Sequence, residues 1–419
     1  MRGFRCALAV ACLLVVVPAS APSQASAAPS FRFGIQDDAW LEFGGGTVEQ
    51  RVATLDRLGV DVVRITFDWP RIEAVRGEYD WGREDALLHA LRNHGLSPLV
   101  TILGTPAWAN GGKEANWAPL DAEAMTQFAT AAAERYRFVH YWLIWNEPNQ
   151  RRWLRPVSPS VYVARLLNPA YSAIKQVIPA AKIGGGVTAP RGGSGGMSPL
   201  AFLSGIRRAG GKLDAYAHHP YPLRPAETPT SGGCGHCETV TMATLGRLLN
   251  QVSRMYPKAR VWLTEYGYQT NPPDRLLGVS LAKQARYLAE AARRAAVLPR
   301  VDLLIHYLYR DEPSLGRWQS GLTTVRGTPK PALAAAMLPL VQVSRKSSTT
   351  VVWGQVRPGS GAQRYVVQIH RGGRWAPLSG IRRTNAGGTL TIAVTASRGS
   401  ALRLWYPPRR LAGPSIVVR

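Results

Sequence analysis

The chain has 419 residues and carries 51 Lys and Arg against 26 Asp and Glu, which gives a formal net charge of +25. A chain of this length can bury one large core and still form a second, smaller domain. The charge favours anionic partners such as cell-wall polymers or acidic polysaccharides, or simply reflects a basic source genome, and because no nucleic-acid-binding motif occurs we expect no nucleic-acid partner.

The N-terminal segment has the pattern of a secretory signal peptide. Arg2 and Arg5 give a basic start, an apolar stretch follows at Ala7–Val17, and small residues end the segment at Ala25–Ala28. We predict a signal peptide at residues 1–28, with an uncleaved membrane anchor as the alternative. No later segment is apolar over a sufficient length, so we predict no stable membrane span after cleavage. The mature protein is expected to be secreted or associated with the cell wall.

Strand-like and helix-like segments then alternate with regular spacing. The predicted strands are Phe31–Gln36, Val60–Thr66, Ser97–Leu103, His140–Asn146, Ala181–Val187, Leu213–Tyr221, Ala259–Tyr268 and Val301–Tyr309. The predicted helices are Val48–Leu58, Arg83–His94, Asp121–Arg137, Ser158–Ile178, Ser198–Ala209, Thr239–Tyr256, Ser280–Ala296 and Lys330–Val343. This order predicts an α/β fold, the (β/α)8 or TIM barrel, over residues 29–343. An open doubly wound sheet is less favoured because no Gly-rich dinucleotide-binding fingerprint follows the first strand.

The pattern changes in the last part of the chain. Short strand-like runs separated by Gly, Pro, Ser and Asn turns occur at Thr350–Val356, Gln363–His370, Leu390–Val394 and Ala401–Tyr406. They predict a small C-terminal β-sandwich domain at residues 344–419, which either binds polysaccharide or caps the barrel. Trp375 and Trp405 are candidates for a sugar-stacking platform there, although packing in the core of the small domain is the simpler role.

Cys234 and Cys237 are the only cysteines after the predicted signal peptide, which contains Cys6 and Cys12. In an exported protein this pair is expected to form a local disulfide. A redox-active pair is the first alternative, since the predicted helix that follows would lower a thiol pKa. A zinc site is the second, but it would need further ligands. We therefore predict no metal site and no cofactor.

Two glutamates stand at the ends of short apolar runs. Glu147 lies in Trp145–Asn149 and Glu265 lies in Trp262–Gly267. A carboxylate at the end of a buried barrel strand is held by the strand and faces the loops that admit a substrate. A glycosidic bond is commonly cleaved by two carboxylates that face each other across it, so both residues are predicted to be catalytic.

The sequence Asn146-Glu147-Pro148 after the fourth strand, with a Glu after the seventh, resembles the retaining glycoside hydrolases built on this barrel, families 39 and 5 among them. The resemblance covers residues 31–343. It implies that Glu147 is the general acid/base and Glu265 the nucleophile, and retention predicts carboxyl groups about 5 to 5.5 Å apart.

The same resemblance suggests four substrate-binding or supporting residues. Arg64 matches the arginine aimed at the nucleophile, although it would also suit any barrel acid. Asn146 matches the residue that binds the sugar 2-hydroxyl. His219 and Tyr221 match a His-x-Tyr pattern in which the tyrosine donates to the nucleophile, while a buried structural histidine is the alternative for His219.

Aromatic residues recur at the predicted strand ends: Trp40, Trp69, Trp108, Tyr307 and Trp318. Sugar rings stack on such side chains, and we select Trp108 and Tyr307 as substrate-binding residues, with packing as the alternative for each. Tyr307 and Asp311 stand where the family 39 pattern has Trp and Asp. The third strand lacks the His often found in family 5, which favours a family 39-like relative.

The predicted function is therefore a secreted retaining glycoside hydrolase that acts on β-glycosidic bonds of polysaccharides or oligosaccharides. The substrate would be a carbohydrate such as a cell-wall or plant polysaccharide. A carbohydrate-binding protein that kept the barrel without catalysis is the alternative, and a thiol oxidoreductase using Cys234 and Cys237 is a third hypothesis.

Overall fold

The computed structural model describes residues 31–234 and 237–419, so the predicted signal peptide lies outside the described residues. Eight parallel strands form a closed barrel in sequence order, which confirms the predicted TIM barrel. The barrel strands are β1 Arg32–Gln36, β2 Val62–Asp68, β3 Ser97–Leu103, β4 Tyr141–Ile144, β5 Lys182–Thr188, β6 Ala215–His218, β7 Arg260–Tyr266 and β8 Val301–Tyr307. Among the described residues, no helix has both the length and the apolar character needed to cross a membrane.

Twelve α-helices occur in the described chain. They are α1 Asp38–Phe43, α2 Val48–Leu58, α3 Trp69–Ile72, α4 Gly82–Asn93, α5 Ala107–Asn110, α6 Ala122–Arg135, α7 Pro159–Tyr162, α8 Asn168–Val177, α9 Pro199–Arg208, α10 Gly246–Met255, α11 Leu281–Val297 and α12 Pro331–Met337. A π-helical turn at Val163–Leu167 joins α7 to α8, so the predicted helix at Ser158–Ile178 is continuous in path but not uniform in type. Local signals explain the ends: Thr47 caps α2, and Gly59 ends it in the left-handed conformation at φ 74°.

Two predicted helices are shorter than expected. The segment predicted from Thr239 becomes helical only at Gly246, because the hydroxyl of Thr244 accepts the backbone N–H of Thr241 and competes with helix formation. The last predicted helix ends at Met337. Pro339 disfavours a helical conformation for the residue before it, and a strand begins at Leu340.

The barrel interior is filled by side chains and is not a pore. Leu143 and Trp262 are among the buried residues that form this inner core. Gly184 in β5 leaves room for them, because a Cβ atom there would lie 2.6 Å from Cδ2 of Leu143 and 2.9 Å from Cε3 of Trp262. Large side chains inside a barrel thus require a glycine on a neighbouring strand.

The C-terminal part consists of antiparallel strands with their own buried core, as the sandwich-like prediction requires. The strands are β9 Leu340–Lys346, β10 Thr349–Gln355, β11 Arg364–Arg371, β12 Arg374–Pro377, β13 Arg382–Arg383, β14 Thr389–Thr395, β15 Ala401–Tyr406, β16 Leu411–Ala412 and β17 Ile416–Val417. One sheet has the order β14-β10-β9, and the other strands form a second sheet around β11 and β15. The domain boundary at residue 344 stays a prediction.

The C-terminal sheets pack on the end of the barrel where the strands begin. The guanidinium carbon of Arg357 lies 3.8 Å from the centroid of the Phe33 ring in β1, and Arg409 donates to the carbonyl of Arg57. Trp375 and Trp405 are half-buried and lie outside the C-terminal core, at 4.2 and 5.9 Å from the guanidinium carbon of Arg403. Neither contributes to the opposite end of the barrel, where Glu147 and Glu265 lie.

Candidate active site

A cavity of about 540 Å³ opens at the ends of the barrel strands, and we call it the active-site cavity. Six of the residues selected from the sequence line it: Arg64, Asn146, Glu147, Tyr221, Glu265 and Tyr307. They come from β2, β7 and β8 and from the loops after β4 and β6. The parallel barrel therefore gathers residues that are far apart in the chain at one mouth.

Glu147 and Glu265 face each other across the floor of the cavity, with carboxylate oxygens within 4.8 Å. Glu265 is the sixth residue of β7 and is held by the strand. Glu147 lies in a sharp turn after β4 and has a left-handed backbone at φ 41°, and Trp145 does the same at φ 75°. This strained geometry is maintained by a hydrogen bond of 2.9 Å from the Glu147 N–H to the carbonyl of Val187, and it aims the carboxyl into the cavity.

Arg64 links Glu265 in β7 to Asn146, the residue before Glu147. Its NH1 atom lies 2.6 Å from Oε1 of Glu265, and its NH2 atom donates to Oδ1 of Asn146 at 2.8 Å. A third bond, from Nε to the hydroxyl of Thr101, anchors the guanidinium in β3 at 2.9 Å. Only 1% of Arg64 is exposed, so the charge is fixed and desolvated. Its attraction for the Glu265 carboxylate is stronger than it would be in water.

Tyr221 completes the surroundings of Glu265. Its hydroxyl donates to Oε2 of Glu265 at 3.2 Å, while Arg64 binds Oε1. Burial and the neighbouring carboxylates raise the pKa of Tyr221 well above its ordinary value, so the hydroxyl keeps its proton and acts as a donor. Both oxygens of Glu265 thus accept a hydrogen bond, an arrangement that suits a carboxylate.

His219 lies behind Glu147 and not on the cavity surface, which corrects the expectation that it binds substrate directly. It is fully buried, with Nδ1 2.9 Å from Oε1 of Glu147 and Nε2 3.3 Å from NH1 of Arg64. Burial lowers the pKa of His219 to about 3, so the ring is neutral. Because a guanidinium can only donate, Nε2 must accept and Nδ1 carries the proton toward Glu147.

The pKa of Glu147 is raised toward neutral pH. Burial raises its pKa to about 7, while the nearby positive charges of Arg64, Arg152 and Arg191 oppose the increase. A hydrogen bond from Trp153 also favours the ionised form. The carboxyl can consequently hold its proton near neutral pH, which is the condition a general acid needs.

Glu147, His219 and Glu265 are also the one group of described residues with the spacing of a metal site. The guanidinium of Arg64 argues against a cation there, because it bonds Glu265 and also faces the ring nitrogen of His219 that would otherwise be free. A fixed positive charge in contact with two of three ligands repels a metal ion. The cluster is suited to proton transfer.

The opposite wall of the cavity was not foreseen from the sequence. Gln36, Asp38 and Thr66 line it, and Asp38 accepts hydrogen bonds from the backbone N–H of Thr66 at 2.7 Å and from Gln36 at 3.1 Å. Trp153 lines the side nearest Glu147. Asp38 could have been found as a polar residue directly after a barrel strand, whereas Trp153 lies in a loop without such a signal.

Of the strand-end aromatic residues, Tyr307 and Trp318 line the cavity. The ring of Trp318 lies 4.9 Å from that of Tyr221 and 5.7 Å from that of Tyr307, so the three rings form one aromatic cluster. Trp108 is not brought to the cavity. Its indole N–H donates to the carbonyl of Glu73 at 2.9 Å, and its ring packs edge-on against Trp69.

Asp311, Cys234 and Cys237 do not line the active-site cavity. Asp311 is buried and forms a salt bridge of 2.7 Å with Lys330, away from the cavity. Cys234 and Cys237 are paired as a disulfide in the loop after β6, where Arg247 donates to the backbone carbonyl of each.

No protein-family model matches the chain, and no curated protein matches it. The fold does match solved structures. A family 39 glycoside hydrolase from Bacteroides cellulosilyticus WH2 has a TM-score of 0.62 at 19% identity, covering 87% of this chain and 81% of the other. The GH39 enzyme from Xanthomonas axonopodis pv. citri has a TM-score of 0.56 at 16% identity, covering 90% and 93%.

A third structure, a glucosidase from Croceicoccus marinus, has a TM-score of 0.58 at 13% identity and covers 88% of this chain and 94% of the other. At these identities the likeness concerns the fold. The resemblance to family 39-like barrels that the sequence suggests is thereby confirmed for the architecture of the chain.

Proposed function

We propose that this chain is a secreted retaining glycoside hydrolase, which cleaves β-glycosidic bonds of polysaccharides or oligosaccharides by double displacement. The observation that carries the proposal is the pair Glu147 and Glu265, with oxygens within 4.8 Å and with different surroundings. Retaining enzymes have carboxyl groups about 5 to 5.5 Å apart, whereas inverting enzymes need about 6.5 to 9.5 Å to admit a water molecule between carboxylate and sugar.

In the first step, a carboxylate oxygen of Glu265 attacks the anomeric carbon and forms an ester with it. The bond from that carbon to the glycosidic oxygen breaks, and the protonated carboxyl of Glu147 donates its proton to the departing oxygen. The raised pKa of Glu147, about 7, supports this role because the proton is present at neutral pH.

In the second step, water attacks the same carbon and the ester to Glu265 breaks. Glu147, now ionised, takes the proton from the water and returns to its starting state. The two displacements consume one water molecule and leave the configuration at the anomeric carbon unchanged.

The neighbouring side chains hold the pair in position. Arg64 and Tyr221 donate to the two oxygens of Glu265, and a charge-assisted bond of this kind orients the attacking oxygen. His219 donates to Glu147 from the buried side. Asn146, fixed by Arg64, is available for the sugar 2-hydroxyl, and Tyr307 and Trp318 offer an apolar surface for the sugar face.

The second candidate is a carbohydrate-binding protein without catalytic activity, for which the cavity alone would be sufficient. A binding protein has no use for a buried acid of raised pKa beside a carboxylate bound by Arg64, so these features favour the enzyme. Secretion rests on the basic, apolar and small-residue pattern of residues 1–28.

The purified protein should be screened on aryl β-glycosides and on plant and microbial cell-wall polysaccharides. For the best substrate, proton NMR during the first minutes should detect the β-anomer before it equilibrates. The α-anomer as first product would contradict retention, and binding without hydrolysis of any substrate would favour the second candidate.

A further inference from the structure

One side of the active-site cavity carries an excess of positive charge. Arg152, Arg191 and Arg224 line the cavity, and all three are exposed. Over residues 31–234 and 237–419, none of these guanidinium groups forms a salt bridge with a described carboxylate. We call these three residues the arginine wall.

The arginine wall includes two residues near Glu147, Arg152 and Arg191, whose positive charges lower its pKa. The members of the wall follow β4, β5 and β6, which are neighbours in the closed barrel. Asp38 follows β1, which lies across an eight-stranded barrel from β5, and its oxygens already accept hydrogen bonds from Thr66 and Gln36. The cavity is therefore polarised, with positive charge beside the general acid.

Hydrogen bonds join the two loops that carry Arg152 and Arg191. Asn149 is fully buried, and its side-chain amide nitrogen lies 3.4 Å from the carbonyl of Arg191 and 3.0 Å from that of Met197. Its Oδ1 atom accepts the backbone N–H of Ala189 at 2.9 Å. Gln150 adds a bond of 3.0 Å to the Arg191 carbonyl. Arg191 is thus held through its backbone carbonyl to the loop that carries Arg152.

The third member is fixed through its backbone. The carbonyl of Arg224 accepts the N–H of Glu227 at 3.1 Å, and the Glu227 carbonyl accepts the hydroxyl of Tyr268 at 2.7 Å. The carboxylate of Glu227 is the acid closest in sequence, and it accepts the backbone N–H of Leu223 at 3.2 Å. It forms no salt bridge with Arg224 in the described structure, so the guanidinium keeps its donors for a ligand.

The general acid protonates the leaving oxygen, so the leaving group lies on the side of Glu147 away from the attacking Glu265. From the position of the wall we infer that the leaving-group side of the cavity binds a sugar bearing an anionic substituent, a carboxylate or a sulfate, next to the cleaved bond. Arginine presents planar paired donors that match such groups. Trp153, whose ring centroid lies 5.5 Å from the Arg152 guanidinium carbon, offers a surface on which that sugar stacks.

The inference rests on the proposed function, because that function defines the leaving-group side of the cavity. Its test measures binding and does not need turnover. An oligogalacturonate tetramer supplies carboxylates, a heparin-derived tetrasaccharide supplies sulfates in addition, and cellotetraose is the neutral control. Binding is measured by calorimetry at low salt and again at about 0.1 M salt, where screening acts over about 10 Å.

Two variants of equal net charge distinguish binding by the arginine wall from non-specific attraction by the net charge of +25. The wall variant is Arg152→Gln/Arg191→Gln/Arg224→Gln, and the matched control is Arg137→Gln/Arg208→Gln/Arg326→Gln, at exposed positions outside the cavity. We expect at least one anionic tetrasaccharide to bind the wild type at least about tenfold more tightly than cellotetraose. We expect the wall variant to lose this preference and the control to keep it. The tetrasaccharide that binds identifies the substituent.

Equal loss in both variants, or no preference in the wild type, would overturn the inference and leave only non-specific attraction. Hydrolysis of an aryl β-glycoside with a neutral phenol leaving group tests the proposed function separately. It is measured in the wild type alone, because the charges of Arg152 and Arg191 also act on the pKa of Glu147. Absence of that hydrolysis in the wild type would overturn the proposed function whatever the binding result.

Discussion

Nδ1 of His219 lies 2.9 Å from Oε1 of Glu147, and Nε2 of the same ring lies 3.3 Å from NH1 of Arg64. The buried ring therefore links the positive charge that holds Glu265 to the group proposed as general acid. Since the ring is neutral and its Nε2 accepts, its one proton points to Glu147. This relationship makes the acidity of Glu147 dependent on a side chain that is buried behind it.

The pKa of about 7 for Glu147 predicts the pH dependence of the reaction. Glycosylation of the enzyme needs the protonated acid, so kcat/KM for a substrate with a poor leaving group should be high at low pH and fall as pH rises through about 7. Dinitrophenolate departs without protonation, so kcat/KM for a dinitrophenyl glycoside should lack this fall at alkaline pH. If kcat/KM for the dinitrophenyl substrate falls in the same way as pH rises, ionisation of Glu147 is not the cause of the fall.

Two substitutions of His219 test its positioning role. The amide of asparagine places a donor near the Nδ1 position, whereas glutamine reaches only the Nε2 position. Loss of the donor disfavours ionised Glu147, so His219→Gln should move the alkaline limb of kcat/KM up by about one pH unit and His219→Asn should leave it in place. Identical pH profiles for both variants would mean that His219 only fills space.

Trp318 and Trp108 form a matched pair, since the first lines the cavity and the second does not. Removing the Trp318 ring loses a stacking surface for the sugar, so Trp318→Ala should raise KM by about tenfold, corresponding to about 1.4 kcal/mol. Trp108→Ala should leave KM unchanged. Steady-state kinetics on the best aryl glycoside, with circular dichroism to verify folding, makes the comparison. Equal changes in KM would place the sugar elsewhere.

For Cys234 and Cys237 we predict a structural disulfide. Thiol titration of the native exported protein should find no free sulfhydryl. A bridge closing so short a loop contributes at most about 2 kcal/mol to the free energy of unfolding, so Cys234→Ser/Cys237→Ser should lower stability modestly and leave kcat/KM intact. Rapid reduction of insulin disulfides by the wild type would instead support the redox hypothesis.

Much of the barrel could be predicted because its strands are short apolar runs between turn residues, a local property of sequence. The strand β9 at Leu340–Lys346 was missed, since half of it is polar and it exists through pairing with β10. Strand bounds also determine which residues extend beyond the sheet. Tyr221 was placed in a strand but follows the end of β6 by three residues and reaches the cavity from a loop.

Arg64 and Glu265 could be located because each lies in a strand, and Glu147 could be located because its motif follows the end of β4 by three residues. Side-chain direction is not fixed in the same way. Trp108 follows a strand but turns toward Glu73, and His219 is covered from solvent by its neighbours. The walls of the cavity depend on loop paths that are set by distant hydrogen bonds, which single-sequence patterns do not report.

Glu147 and Glu265 are expected to have different chemical roles, and azide rescue tests this difference most directly. Glu147→Ala should still form the covalent intermediate from a dinitrophenyl glycoside, and azide should restore turnover and give the β-glycosyl azide because it attacks without a general base. Glu265→Ala should show no turnover without azide, since no ester can form, and any product that azide forms with it should be the inverted α-glycosyl azide. Rescue of Glu265→Ala with a β-configured azide, or full activity of both variants without azide, would contradict the assignment.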